Sequence, residues 1–310
     1  MSPGSEIGVA KASEIPTALD LLLERVPEPE AIGQRQRWEQ AIATGELSTA
    51  GIFVAREPER LIGALWLQPQ AGAYALLIPP EVAAEQPAAT AQALLSAALQ
   101  AAQQAGANLV QSLLPVADAP AAAFLEQHGF WHLADLVYLV SLAPSYPQQE
   151  PCGEWRTRGY SAADEPALLA LLERTYEGSQ DCPRLAGLRT TQDALAGYAA
   201  VGESGARHWH LVEAHGLPVG CLLMADHADD GPRELVYMGL VPEARGRGWG
   251  AALSRFAQWT AGQAGKELLV LAVDAANAPA IEAYRQAGFT RWEERRVFVR
   301  NLGSSSLPRS

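Results

Sequence analysis

The two halves of this 310-residue chain carry the same landmarks at a constant spacing. Asp118-Ala-Pro120 in the first half corresponds to Asn277-Ala-Pro279 in the second, and Gly129-Phe130 corresponds to Gly288-Phe289. Both correspondences give an offset of 159 residues. A constant offset at separate fixed points indicates that one domain has been duplicated. The chain is therefore predicted to fold as two related domains of ordinary size.

A proline-rich segment separates the two halves. Pro144, Pro147 and Pro151 interrupt the stretch 144–153, which has no apolar periodicity. The sequence therefore predicts domains over 1–143 and 154–302, with 144–153 as the linker and 303–310 as a flexible polar tail.

Hydrophobic periodicity predicts a mixed α/β fold in both halves, with a mostly antiparallel sheet flanked by helices. Parallel pairing is expected only around the helix that follows a glycine-rich turn. In the second half, strands are predicted over 154–160, 208–214, 219–225, 234–241, 268–274 and 289–301, and helices from Asp164, over 191–201, from Trp249 and over 279–287. In the first half, strands are predicted over 8–11, 51–56, 61–67, 73–78, 108–114 and 130–142, and helices over 17–26, 32–43, 88–105 and 120–127.

Composition excludes several classes of protein. No window approaches the roughly 18 apolar residues that a membrane-spanning helix needs. The segment Met1 to Ala10 lacks the basic start and apolar run of a signal peptide, so a cytoplasmic location is expected. Cys152, Cys182 and Cys221 form no C-x-x-C spacing, which argues against a zinc site and a disulfide framework. Reduced thiols and no metal are expected, and the loop with His227, Asp229 and Asp230 is interpreted as solvated charge.

The charge is unevenly divided between the halves. The chain has a net charge of −12, with 6 Lys and Arg against 16 Asp and Glu in residues 1–150 and 17 against 19 in residues 151–310. Phosphate affinity comes from clustered Lys and Arg, so a nucleic-acid partner is not expected. Because only the second half is close to electrical neutrality, only this half is expected to bind a polyanionic ligand.

A glycine-rich turn in the second half is the most informative segment for function. Glycines 246, 248 and 250 alternate with arginine and tryptophan between a predicted strand and a predicted helix. Backbone N–H groups and the positive end of the helix dipole form an anion site in such a turn, and Arg245 and Arg247 add positive charge. The spacing fits neither a dinucleotide fingerprint nor a P-loop. A surface turn with two solvated arginines is the alternative interpretation.

The stretch from Arg245 to Gly250 resembles the coenzyme A pyrophosphate loop of the GNAT family of N-acetyltransferases. Asn277, Ala280, Tyr284 and Gly288-Phe289 resemble the second part of the signature of that family. The resemblance covers 154–301 and, in a degenerate form, 7–142. It implies two tandem acyl-CoA N-acyltransferase domains, a layout that is also similar to mycothiol synthases.

The resemblance implies acetyl-CoA as the acyl donor, with no metal. The implied contacts to coenzyme A lie at Leu240, Val241, Arg245, Gly246, Arg247, Gly248, Trp249, Gly250, Ala251 and Asn277. Backbone groups of Leu240 and Val241 would bind the pantetheine arm, and Tyr284 would protonate the departing thiolate. From the residues alone, Asn277 is also compatible with a helix start, and Tyr284 with a core side chain.

An amine attacks a thioester only when it is unprotonated, so a carboxylate or histidine should accept its proton. Glu234 is the first candidate base, with His208 or His210 as the others. N–H donors around 237–239 would stabilise the negative oxygen of the intermediate, and Tyr237 is a candidate for positioning the amine. The resemblance places the acceptor pocket in 175–201, where Cys182 is interpreted as a pocket or core residue.

The first half has lost the key residues of the signature. The offset of 159 relates Arg245, Gly248, Gly250 and Tyr284 to Gln86, Ala89, Ala91 and Leu125. Alanine obstructs the close approach of a phosphate, and leucine donates no proton. The first domain is therefore expected to serve packing or substrate capture, or alternatively to bind acetyl-CoA without catalysis.

These observations predict an enzyme that transfers an acetyl or small acyl group to a primary amine by direct attack in a ternary complex. The acceptor is expected to be a small molecule or a protein, with no membrane partner, and the chain is expected to be a monomer or homodimer. The alternative is a non-catalytic acyl-CoA sensor or protein-interaction module.

Overall fold

A computed structural model describes residues 6–86, 88–227 and 231–303. These residues group into two compact units, the first containing residues up to 132 and from 297 onward, and the second containing residues 133–296. The predicted tail beyond 303 lies outside the described residues.

The first unit is a sheet with helices packed on it. Its strands are β1 Glu6–Val9, β2 Ile52–Arg56, β3 Leu61–Gln70, β4 Tyr74–Val82 and β5 Leu109–Pro115, and its helices are α1 Ile15–Leu22, α2 Glu30–Thr44, α3 Ala88–Gln104 and α4 Ala119–Gln127. The strands follow one another in the order β1-β2-β3-β4-β5. Their inward side chains form the core with α1 and α3.

The second unit repeats this plan. In chain order it contains β6 Trp131–Leu142, β7 Arg156–Gly159, α5 Glu165–Tyr176, α6 Thr191–Ala199, β8 His208–Ala214, β9 Leu217–Asp226, β10 Arg233–Leu240, α7 Trp249–Gln263, β11 Leu268–Asp274, α8 Ala278–Gln286 and β12 Thr290–Asn301. Strands β7 to β11 lie in the order β7-β8-β9-β10-β11. Most neighbouring strands pair antiparallel, whereas β4 pairs parallel with β5 and β10 parallel with β11.

The predicted duplication is confirmed at the level of single elements. Strands β5 and β11, helices α4 and α8, and strands β6 and β12 have bounds that differ by 159 residues at both ends. Aspartate caps α4 and asparagine caps α8 in the same way, with a side-chain oxygen accepting the N–H three residues on. The predicted fold class, a mixed and mostly antiparallel sheet flanked by helices in each half, is confirmed.

The grouping of residues differs from the predicted boundaries at the last strand of each half. Residues 136–142 of β6 pair antiparallel with 268–274 of β11 in the second unit, and the end of β12 groups with the first unit. Tyr146, in the predicted linker, is 6% exposed in the core of the second unit. Alternating apolar residues predict that a strand is buried on one face, but they do not indicate which sheet edge it pairs with.

A buried ion pair fixes the start of β10. Arg233 is 2% exposed, and its Nε and Nη2 atoms donate to the Asp226 carboxylate of β9 at 2.6 and 2.9 Å. Its Nη1 atom donates to the carbonyl of Thr260 in α7 at 3.0 Å. Because a buried charge is tolerated only when it is paired and hydrogen-bonded, these contacts hold one end of β10 rigidly.

None of the helices in the described ranges combines the length and apolar character that a membrane span requires.

Candidate active site

A cleft opens in the sheet of the second unit where β10 and β11 separate. The two strands pair only at Arg233 with Leu269 and at Glu234 with Val270. Beyond these pairs, the register of β10 against β9 shifts between Leu235 and Tyr237, which marks a bulge. A bulge bends the strand that carries it. The resulting cavity, about 420 Å³ in volume, is lined by residues of β10, the glycine-rich turn, α7, β11 and α8.

The edge of β10 that faces this cleft has open backbone groups. Val241 donates its N–H to Val219 of β9 at 2.9 Å, and its carbonyl accepts the N–H of Ala244 at 3.0 Å. In an antiparallel ladder, successive residues turn their backbone groups to opposite sides. The backbone groups of Leu240 and Met238 therefore point toward the cleft, where the Leu240 carbonyl accepts a hydrogen bond from Arg245 Nε at 3.0 Å. The backbone groups of Val241 are engaged within the chain.

The three glycines of the turn meet two different physical requirements. Gly246 and Gly248 both have φ of +75°, a left-handed conformation that other residues rarely adopt. Gly250 has an ordinary φ, but a Cβ there would lie 3.2 Å from the Cβ of Ala283 in α8. The first two glycines thus shape the turn, and the third permits close packing of α7 on α8.

The turn leads directly into the N-terminus of α7. Gly248 is the N-cap residue, and no side chain caps this end of the helix. The first-turn N–H groups, from Trp249 to Ala251, have no acceptor within the helix. They border the cavity, and together with the helix dipole they form an anion-binding surface.

The two arginines of the turn have different environments. Arg245 donates to three carbonyl oxygens, those of Leu240 at 3.0 Å, Glu177 at 2.7 Å and Thr175 at 2.9 Å. Its guanidinium joins the end of β10 to the end of α5. Arg247 is exposed, and its Cζ lies 5.3 Å from the centroid of a Trp249 ring. Of these two side chains, only that of Arg247 lies open to solvent for a ligand phosphate.

Tyr284 and Asn277 both border the cavity from α8. Tyr284 is 7% exposed, yet its hydroxyl forms no hydrogen bond to any residue that the structure describes. Burial raises the pKa of Tyr284 well above its usual value, so the phenol stays protonated. Asn277 caps α8, its Oδ1 accepting the N–H of Ala280 at 3.3 Å. The helix-start interpretation of Asn277 is thus correct, and its amide lines the cavity as well.

Two aspartates from distant segments meet at the mouth of this cavity. The N–H of Asp274, at the end of β11, donates to Asp181 Oδ1 at 3.1 Å, and Asp274 Oδ2 accepts the N–H of Cys182 at 2.9 Å. Asp181 lines the cavity. Desolvation by the surrounding cavity raises the pKa of Asp181 above its usual value and the Asp274 charge adds to this, while a hydrogen bond with the Asn277 side chain opposes it. Sequence reasoning missed Asp181 because its position against β11 depends on contacts between residues 93 apart.

Each of the predicted base candidates contacts a side chain that does not line the cavity. Among the described residues that line the cavity, none is Glu234, His208 or His210. Glu234 lies at the paired start of β10, with Oε2 at 2.8 Å from His227 Nε2. His208 contacts Asp226 at 3.0 Å. His210 packs edge-on against Phe256 of α7, and burial lowers its pKa to about 4.

Tyr237 and Cys182 lie near the predicted acceptor pocket. Tyr237 lines the cavity, and its hydroxyl is 2.8 Å from Thr175 Oγ1. Its ring stacks on Tyr198 and meets Tyr176 edge-on, at centroid distances of 5.3 and 5.8 Å. Burial raises the pKa of Cys182 to about 12, so the thiol is protonated and poorly nucleophilic.

The corresponding region of the first unit lacks the turn. Helix α3 begins at Ala88 and α7 at Trp249, so by the repeat offset α3 starts two residues earlier. Ala89 and Ala91 are therefore helical residues. Gln86 lies 3.3 Å from Glu57 through Nε2 and Oε1, and Leu125 is fully buried.

The described residues contain no group of three or more His, Cys, Asp or Glu side chains arranged to hold a metal ion. Residues Asp229 and Asp230 of the predicted solvated loop lie outside the described part of the chain. All three cysteines are free thiols.

Comparison with known proteins agrees with this architecture. Residues 167–289 match the model of the acetyltransferase (GNAT) family. The mycothiol acetyltransferase of Thermobispora bispora is 32% identical over 138 residues, which are 42% of this chain and 44% of that protein. Matched segments cover between 19% and 44% of the curated relatives, so the chain aligns with less than half of their length.

Solved structures show the same fold over nearly the whole chain. A GCN5-related N-acetyltransferase from Sphaerobacter thermophilus has a TM-score of 0.63 at 17% identity and covers 96% of this chain and 95% of its own. A tandem GNAT protein from the clavulanic acid biosynthesis pathway has a TM-score of 0.54 at 15% identity and covers 97% of this chain and all of its own. The second unit therefore matches the model of the GNAT acetyltransferase family over most of its length, and the chain has the fold of solved tandem GNAT structures.

Proposed function

We propose that the second unit transfers an acetyl or other small acyl group from acetyl-CoA to a primary amine of a small molecule or protein. The observation that carries this proposal is one cavity that brings together an anion-binding turn, a strand edge and the hydroxyl of a largely buried tyrosine, Tyr284. The turn follows directly on the end of β10. A ligand whose phosphate lies at the turn can therefore extend along the strand edge.

The residues present fit acetyl-CoA. First-turn N–H groups of α7 face the position of the pyrophosphate, and the positive φ of Gly248 keeps this position free of a side chain. The exposed Arg247 adds charge. Met238 and the N–H of Leu240 offer backbone groups to the amide-containing arm, as an added strand would need. Arg245 is a positioning residue in this proposal, because its guanidinium is directed at carbonyl groups of the chain.

Acetyl-CoA supplies a thioester, which an amine attacks at the carbonyl carbon. The N–H of Met238 faces the cleft and would donate to the carbonyl oxygen as negative charge develops there. The phenol of Tyr284 is protonated and borders the cavity, so it would give its proton to the departing sulfur. The attack is direct, because the protonated Cys182 offers no nucleophile for a covalent intermediate.

The proposal is tested by calorimetry with acetyl-CoA, followed by thiol release in the presence of small-molecule amines and lysine-containing peptides. We expect tight binding and thiol release that depends on the amine. Binding without amine-dependent release across the panel would favour the alternative of a non-catalytic acyl-CoA sensor. Absence of binding would overturn the proposal.

The number of acetyl-CoA molecules bound per chain tests whether one unit or both bind the acyl donor. We expect one acetyl-CoA per chain, because α3 includes Ala88 and Ala89, which correspond to Arg247 and Gly248 of the glycine turn, and the first half carries an excess of negative charge. Titration calorimetry gives the molar ratio of bound acetyl-CoA to chain directly when the protein concentration is measured by absorbance. Two sites per chain would show that the first unit also binds the donor.

Replacement by methionine should mainly reduce stability at Arg245 and mainly reduce acetyl-CoA affinity at Arg247. Arg245→Met removes three charged hydrogen bonds to carbonyls, so the free energy of unfolding should fall by about 2 to 3 kcal/mol. Arg247→Met should leave stability within about 0.5 kcal/mol but weaken acetyl-CoA binding roughly tenfold, and more at low salt. Denaturant unfolding and calorimetry on both variants test this, and a reversed pattern would contradict the assigned roles.

A further inference from the structure

We propose that Asp181 is the acceptor-side catalytic residue: its carboxylate binds the ammonium group of the amine in the cavity and takes the proton that must leave before attack. This inference rests on the proposed function, since it assigns the acceptor side of the same site. It concerns a residue in the loop between α5 and α6, outside the motifs of the donor site.

The placement of Asp181 is the first argument. Asp181 and Tyr284 line the same cavity, and Tyr284 is a nine-tenths buried side chain whose hydroxyl has no partner among the described residues. The Asp181 charge also raises the pKa of Tyr284, which places the two groups within electrostatic reach. The carboxylate and the phenol therefore border one reaction space.

The second argument is that Asp181 is held in position while its charge remains unneutralised by a cation. Its Oδ1 accepts the N–H of Asp274 at 3.1 Å. Asp274 is fixed in turn, because its two oxygens accept the N–H groups of Cys182 at 2.9 Å and Ala276 at 2.8 Å. No Lys or Arg forms an ion pair with Asp181 in the described part of the chain. Because Asp181 is exposed at the cavity, its unpaired carboxylate is open to a cationic ligand.

The other carboxylate that lines the cavity, that of Glu282, is paired with a cation. Glu282 lies on α8 with its side chain 49% exposed, and Arg285 binds both of its oxygens at 2.7 Å. The negative charge of Glu282 is thus neutralised by Arg285 on the exposed surface of α8. Asp181 is the better partner for an ammonium group in this cavity.

The proton balance of the reaction is complete with these two residues. Asp181 takes one proton from the ammonium, and the nitrogen lone pair then forms the C–N bond as the C–S bond breaks. The sulfur takes a proton from Tyr284, and the acylated nitrogen loses its second proton, which restores the phenol. Asp181 then releases its proton to solvent, so one proton leaves per amide formed.

The experiment compares Asp181→Asn with Glu282→Gln in the full chain. Asparagine keeps the oxygen that accepts the Asp274 N–H, so the loop should stay in place while the charge is removed. We expect kcat/KM for amines to fall about 100-fold or more in Asp181→Asn, with unchanged acetyl-CoA affinity by calorimetry. Glu282→Gln should retain the wild-type value.

Hydroxylamine as the acceptor distinguishes a catalytic role of Asp181 from a structural one, because a structural defect would reduce thiol release with both kinds of acceptor. It is uncharged at neutral pH, so it needs neither an ammonium site nor a base, and Asp181→Asn should keep most of its hydroxylamine-dependent thiol release. Equal loss with amines and hydroxylamine, or no loss with amines, would overturn the role of Asp181. Failure of the wild-type chain with every amine would instead overturn the proposed function.

Discussion

Gly248→Val is expected to abolish measurable binding of acetyl-CoA, a loss of more than about 100-fold in affinity, equivalent to about 2.7 kcal/mol. Gly248 has φ of +75° at the N-cap of α7, and the left-handed region costs an ordinary side chain about 1 to 2 kcal/mol. A branched side chain would also occupy the space in which first-turn N–H groups meet a phosphate. Calorimetry with acetyl-CoA measures the effect.

Gly265→Val is the matched control. Gly265 follows α7 with φ of +72°, and an added Cβ meets no atom within 4 Å at either glycine. Both substitutions therefore impose the same kind of backbone cost, and thermal unfolding should show similar losses of stability. Only Gly248→Val should lose acetyl-CoA binding. Unchanged affinity in Gly248→Val would exclude the turn as the pyrophosphate site.

Tyr284→Phe should lower turnover by about 100-fold or more, while affinity for acetyl-CoA changes little. The substitution removes one hydroxyl, and its proton is needed mainly when sulfur departs in the transition state. Steady-state kinetics of thiol release and calorimetry separate the two quantities. Equal turnover of both proteins would make Tyr284 a packing residue and leave the sulfur to be protonated by water.

Tyr146→Phe is the control for removing a buried phenol. Tyr146 is 6% exposed, lies outside the cavity and donates to the Ser141 carbonyl at 3.2 Å, so its loss should reduce stability by about 1 kcal/mol and leave turnover unchanged. Tyr284→Phe should keep or slightly raise stability, because the removed hydroxyl has no described partner. This opposite pattern in stability and turnover distinguishes a reactive group from a structural one.

The donor side of the candidate site was readable from local sequence because short-range conformation determines it. Alternating glycines after a strand require left-handed backbone, and Gly246 and Gly248 adopt it. Asn277 before a proline predicts the start of α8, and the structure shows that cap. The position of Asp181 on the acceptor side was not readable, since Asp181 is an ordinary loop residue in sequence and its contact with β11 joins residues 93 apart.

The duplication, the class of the fold and the glycine turn follow from the amino-acid sequence, because each depends on neighbouring residues or on a repeated pattern. The folded chain was needed to show that β6 pairs with β11, that Arg245 binds carbonyls 68 and 70 residues away, and that Asp181 contacts Asp274. These outcomes depend on which strand edge and which carbonyl groups are open once the core has packed. A local pattern specifies that a strand or a charged side chain needs a partner, whereas packing determines which partner is within reach.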